Sequence, residues 1–141
     1  MPYKPPAKPA NLTPKEDVEQ EHLFQWARMM RHKYPELERM FHIPNGGTRK
    51  KAEAAKFRRT GVKPGVPDIF LPAARGGGYH GLFIELKRKT GGRVSPEQRE
   101  WIEVLRAGNY KAVVCRGSEE AEKAIVEYLE QKTEKKATND N

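Results

Sequence analysis

Leu23, Trp26, Ala27 and Met30 fall at the three- and four-residue steps of one helix face, so they predict an amphipathic helix early in the chain. The stretch "TPKE" opens it, with Thr13 as cap, Pro14 at the first helical position and Glu16 at the third. The helix should run to about Lys33 and stop before Pro35. Residues 39–44, "RMFHIP", then read as a short strand ending at the turn "NGG". Thr48 caps a basic helix that Gly61 closes.

Two strand-like segments follow, "VPDIFLP" and "HGLFIELKR", joined by the glycine-rich "AARGGGY". So short a linker suits an antiparallel hairpin better than a parallel crossover. "SPEQ" starts another helix, with Ser95, Pro96 and Gln98 in the capping positions, and Gly108 ends it. "YKAVVCR" is a short buried strand, and a final helix begins at Ser118 with Glu119 and Glu120 near its N-terminus. The order α-β-α-β-β-α-β-α predicts an α/β domain, a mixed β-sheet flanked by helices. That domain should span residues 13–130, between a flexible proline- and lysine-rich tail (1–12) and a polar C-terminal tail (131–141).

A chain of 141 residues fits one domain with one core. The single Cys115 rules out an internal disulfide and suits a reducing compartment. "MPYKPPAKPANLTP" has no apolar signal-peptide core, and no apolar run approaches the roughly 18 residues of a membrane span. The expected location is therefore cytoplasmic. A net charge of +8 points to an anionic partner, nucleic acid first. The charge is concentrated: residues 48–63 hold seven cations against Glu53 alone.

Alternation along the hairpin strands sorts their side chains. Leu82, Ile84 and Leu86 share one face, which leaves Phe83, Glu85 and Lys87 on the other. If the strands pair, Asp68 lies beside Glu85, with Lys87 one step along. Two carboxylates that close repel, and a divalent cation would resolve the conflict. Oxygen ligands indicate Mg²⁺ or Mn²⁺, while cysteine is too scarce and the histidines are wrongly spaced for zinc. Such an ion can bind a phosphate oxygen and activate a water, with Lys87 orienting that water or neutralising developing charge. Read alone, E-x-K on a strand and an aspartate after proline are both common and structurally trivial.

"GVPDIF" followed by "GLFIELK" resembles the PD-(D/E)xK nuclease signature, carried here by Pro67, Asp68, Glu85 and Lys87. Together with "HIPNGG", "GVKPGVPDIFLP" and "GRVSPEQREWI", the chain is similar to the VRR-Nuc family over roughly Lys15 to Glu130. The resemblance implies a restriction-endonuclease-like core. It implies that Asp68, Glu85 and the Leu86 backbone carbonyl bind Mg²⁺ or Mn²⁺, and that Lys87 is the catalytic lysine. It also implies a glutamate from the first helix. Glu16 is favoured over Glu19, because Glu16 and Gln20 share a face at i, i+4 and match the family pattern. Glu16 is equally a routine capping-box residue. Gln98 either supports the site, as the family motif suggests, or merely caps its helix.

"NGGTRKK" sets three cations at a helix start, where a bound phosphate would relieve their conflict with the helix dipole. Asn45, Gly46, Gly47, Arg49 and Lys50 are thus candidate DNA contacts, the alternative being a solvated charged face. His42 and Trp26 read as packing residues. The "ARGGGY" loop lacks the lysine of a P-loop and reads as a flexible hairpin tip, with Arg75 and Tyr79 as substrate contacts that nothing forces. The expected function is a metal-dependent DNA endonuclease. By resemblance to small stand-alone family members, it would be a homodimer selective for branched DNA such as Holliday junctions, and of a kind suited to a phage or mobile-element genome. Its rivals are a non-catalytic nucleic-acid-binding module, a sequence-specific restriction or nicking enzyme, and a structural interaction protein.

Overall fold

The computed structural model describes residues 15–44 and 51–131. Helix α1 spans Glu16–Met30, and a 3₁₀ turn at Pro35–Arg39 leads into strand β1, Phe41–His42. Helix α2 (Lys51–Arg59) precedes β2 (Ile69–Leu71) and β3 (Leu82–Lys87). Helix α3 (Pro96–Ala107), strand β4 (Lys111–Arg116) and helix α4 (Ser118–Glu130) complete the order. The strands form one mixed sheet in the order β1-β2-β3-β4. β1, β2 and β3 pair antiparallel, and β4 lies parallel to β3 after the α3 crossover.

Alternation decides which sheet face is dry. Ile69 and Leu71 of β2 and Leu82, Ile84 and Leu86 of β3 are buried beneath α1 (Leu23, Ala27) and α4 (Ala121, Ile125, Tyr128). Each such Leu or Ile contributes about 1.5–3 kcal/mol relative to exposure. The opposite face carries Phe70 stacked on Phe83, ring centroids 4.3 Å apart, before it reaches the polar residues of β3.

Several boundaries differ from expectation. Helix α1 ends at Met30, not Lys33, because Pro35 holds Tyr34 out of the helical region, and the Lys33 and Tyr34 N–H groups both turn back to the Met30 carbonyl at 3.0 and 2.8 Å. The following 3₁₀ turn takes Arg39, which shortens the expected strand 39–44 to two residues. Lys15 stands at the α1 cap without a side-chain bond, and the expected cap residues Thr13 and Pro14 lie outside the described residues, as do the predicted N-terminal tail and residues 132–141 of the C-terminal one. Among the described residues no helix is long and apolar enough to cross a membrane.

The hairpin tip is pinned by its own arginine. Arg75 pairs with Glu36 and donates from Nε to the Leu129 carbonyl at 3.1 Å. Tyr79 packs against the core near Tyr128. Where the sequence read as a flexible hairpin tip, Arg75 and Tyr79 instead tie the hairpin to the body.

Candidate active site

Pairing of β2 with β3 sets Ile69 opposite Ile84, so the next step of the ladder brings Asp68 to Glu85. Past the end of β2, Asp68 Oδ2 takes over the ladder's role and accepts the Leu86 N–H at 2.8 Å. Its backbone carbonyl accepts the Ile43 N–H at 2.7 Å, and His42 Nδ1 lies 2.9 Å from the same oxygen. β1 therefore braces Asp68 through its main chain. His42 is exposed and placed by register beside the site, rather than being the packing residue expected.

Glu85 and Lys87 are 1% and 5% exposed, an extreme degree of burial for charged side chains. They pair with each other, Lys87 Nζ to Glu85 Oε2 at 3.3 Å. Gln98 bridges the two. Its Nε2 donates to Glu85 Oε2 at 3.0 Å, and its Oε1 accepts from Lys87 Nζ at 2.9 Å and from the Ser95 N–H at 2.9 Å. Ser95 Oγ in turn accepts the Gln98 N–H at 3.1 Å, closing the capping box foreseen in "SPEQ". Gln98 thus caps α3 and braces the carboxylate–lysine pair at once; the two alternatives open in the sequence coexist.

Burial pushes the Asp68 carboxyl above its ordinary value. Burial, reinforced by the Asp68 charge, pushes Glu85 up to about 8. Near neutral pH the pair tends to retain a proton. One Glu85 oxygen, Oε1, is buried without a hydrogen-bond partner. An orphaned carboxylate oxygen inside a protein is costly, and a cation or its waters would satisfy it.

The glutamates of α1 separate cleanly. Glu16 is exposed in the first turn. Glu19 is 1% exposed and turns inward. Its Oε1 accepts the Ser118 N–H at the start of α4 at 2.8 Å, and its Oε2 is buried without a partner. Gly117 stands beside it: a Cβ there would sit 3.6 Å from Glu19 Oε2, an ordinary contact. Gln20 lines a surface cavity with Phe24 and Arg28. Asn45, Gly46, Gly47, Arg49 and Lys50 lie outside the described residues.

The donor set suits a hard cation. Among the described residues no three His, Cys, Asp or Glu side chains cluster as a metal cage. Mg²⁺ is commonly held by one or two carboxylates and several waters, which the Asp68–Glu85 pair can supply. Leu86 adds a backbone oxygen on the right side. Its N–H is directed to Asp68, and in a strand the carbonyl of the same residue points the same way. Zinc is a poor match, since the one cysteine, Cys115, is buried on β4 with its thiol pushed up to about 12 by that burial.

Comparison with known proteins bears on the family and the fold. The family model for the VRR-NUC domain matches residues 18–119. A solved structure described as "VRR_NUC domain protein" superposes with a TM-score of 0.72 at 36% sequence identity, covering 85% of this chain and 92% of that one. No curated protein matches.

Proposed function

The chain belongs to the VRR-NUC domain family, a family of nuclease-type domains, and we propose that it is a divalent-metal-dependent DNA endonuclease. The observation that carries this reading is the half-buried Asp68 beside the buried Glu85, which has one orphaned oxygen, next to a lysine held in place by an amide. Asp68, Glu85 and the Leu86 carbonyl would hold Mg²⁺ or Mn²⁺. When bound, such an ion supplies Lewis-acid polarisation of a phosphodiester oxygen and a water of lowered pKa.

The chain's own groups do the rest. Asp68 and Glu85 would have to give up their retained proton to hold such an ion, so their burial would tune affinity to pH. Lys87, bonded to Gln98 and Glu85, keeps its ammonium aimed into the site and faces the negative charge that develops on the phosphate. Gln98 orders both neighbours and is the positioning residue. Of the two α1 glutamates we favour Glu19 over Glu16, because it alone is buried with a free oxygen, though among the described residues it does not cluster with Asp68 and Glu85. Asn45, Gly46, Gly47, Arg49 and Lys50 remain proposed DNA contacts on charge and motif alone.

Branched DNA, such as a Holliday junction, is the substrate class we favour, with a symmetric homodimer making paired cuts. The support is resemblance to small stand-alone family members. The experiment is a panel of end-labelled four-way junction, flap, single-stranded and linear duplex DNAs cut in parallel, with mass measured in solution. Preferential, symmetric cutting of the junction by a dimer supports the proposal. Discrete fragments from unbranched plasmid would favour a sequence-specific enzyme instead.

A further inference from the structure

The geometry points to a phosphate-binding rim, built from the loop between β3 and α3 and the end of β4, that takes the sugar–phosphate backbone flanking the bond to be cut. It rests on the nuclease reading and extends it to residues outside the PD…ExK signature and the basic stretch at 48–63. Residues 87–93, "KRKTGGR", hold four cations and no acid. Lys87 is spent inside the site, which leaves Arg88, Lys89 and Arg93.

Arg116 joins them, because the parallel register sets it opposite Lys87. Its Nη1 donates to the Gly92 carbonyl at 2.8 Å and folds the loop over the strand ends. The fold-back is close: a Cβ on Gly92 would lie 3.4 Å from the Lys87 Cβ. Lys89 crosses the end of β4, its Cγ 2.8 Å from where a Gly117 Cβ would stand. The same strand ends therefore carry the buried Lys87 and gather four further cations around it.

None of these four forms an ion pair with another described residue. Two acids stand close by: Glu120 is turned to the Arg116 backbone N–H at 2.9 Å, and Glu19 Oε2 lies beside Gly117, as Lys89 does, without forming an ion pair with it. Elsewhere, Arg31 and Arg75 each have a glutamate partner. Unneutralised cations crowded at one edge repel each other, and a polyanion relieves the repulsion by displacing its own counterions. Contacts of this kind fix the register of a strand without reading its bases.

The test is DNA binding without metal, by fluorescence anisotropy in EDTA over a salt series. It compares wild type with Arg88→Ala/Lys89→Ala/Arg93→Ala and with a control, Arg28→Ala/Arg39→Ala/Lys123→Ala, which removes three exposed cations from α1, the 3₁₀ turn and α4. Circular dichroism checks that each folds. The rim variant should bind about tenfold or more weakly, with a log–log salt slope reduced by about 2–3, since each lost phosphate contact removes about 0.9. The control should stay within about threefold of wild type. Equal losses in both variants, or no change in the rim variant's slope, would overturn the rim. Because the assay needs no cutting, a rim-dependent slope in a protein that never cleaves would count against the nuclease alone.

Discussion

Gln98 Nε2 donates to Glu85 Oε2 at 3.0 Å, so the cap of α3 and the acidic core of the site share one amide. The consequence is testable by shape. Gln98→Met keeps the volume but loses both polar contacts, and should lower kcat about 10–100-fold, as outer-shell partners of metal ligands typically do. It should also cost about 1 kcal/mol of stability through the broken capping box. Gln98→Glu keeps an acceptor for Lys87 but sets a carboxylate against Glu85, and should be worse than Gln98→Met at high pH. Steady-state kinetics and urea denaturation of the two variants check this.

Glu19 and Glu16 make opposite predictions. Glu16→Ala, on an exposed first turn, should leave cleavage within about twofold and stability within about 0.5 kcal/mol. Glu19→Ala removes the acceptor for the buried Ser118 N–H and should destabilise by about 1–3 kcal/mol. Glu19→Gln retains that acceptor and the volume. It should therefore fold normally and still lose activity if the free oxygen serves the site. Loss of cleavage in Glu16→Ala with normal activity in Glu19→Gln would restore the original preference.

Stability of the metal-free protein should fall as pH rises. Glu85 titrates near 8 in the fold against an ordinary 4.5. Between those values the folded chain holds a proton that the unfolded chain has released, so its contribution is fully present below about 4.5 and is lost by about 8. Asp68, raised for the same reason, acts in the same direction. Thermal melts in EDTA from pH 5 to 8 should therefore slope downward for wild type and flatten for Glu85→Gln. Added Mn²⁺ should raise Tm most at the upper end, where less proton must be displaced. Identical pH profiles for wild type and Glu85→Gln would contradict a proton-retaining Asp68–Glu85 pair.

Gly65 is the backbone hinge of "GVPD". It sits at φ +89°, and a Cβ there would come 2.8 Å from the Glu97 backbone carbon, closer than real contacts allow. Gly65→Ala should thus destabilise by more than about 1 kcal/mol, from strain and from collision with the start of α3. The same collision should shift Asp68 and reduce metal affinity. Chemical denaturation and Mn²⁺ titration read the two effects separately.

The hairpin and its consequences were legible in the sequence because period-2 alternation leaves little freedom. Once Leu82, Ile84 and Leu86 face the core, Glu85 and Lys87 must face the other way, and a short linker makes Asp68 the partner. "SPEQ" was legible for a similar local reason. Glu19 was not. Sequence spacing on α1 offered two faces, and what selects one is a backbone N–H 99 residues away at the start of α4. Nor did the glycines of "ARGGGY" disclose that Arg75 reaches Glu36 and Leu129 across the fold. Local pattern reported the strands; long-range partners chose the side chains.

Cleavage by wild type, Asp68→Ala and Lys87→Ala, each with Mg²⁺, Mn²⁺ or EDTA on end-labelled branched DNA, tests the central claim most directly. The expected result is cutting by wild type only with metal, and a loss of at least about 100-fold in both variants while DNA binding in EDTA persists. Cutting that survives in EDTA, or in Asp68→Ala with metal, would contradict a site built on Asp68, Glu85 and Lys87.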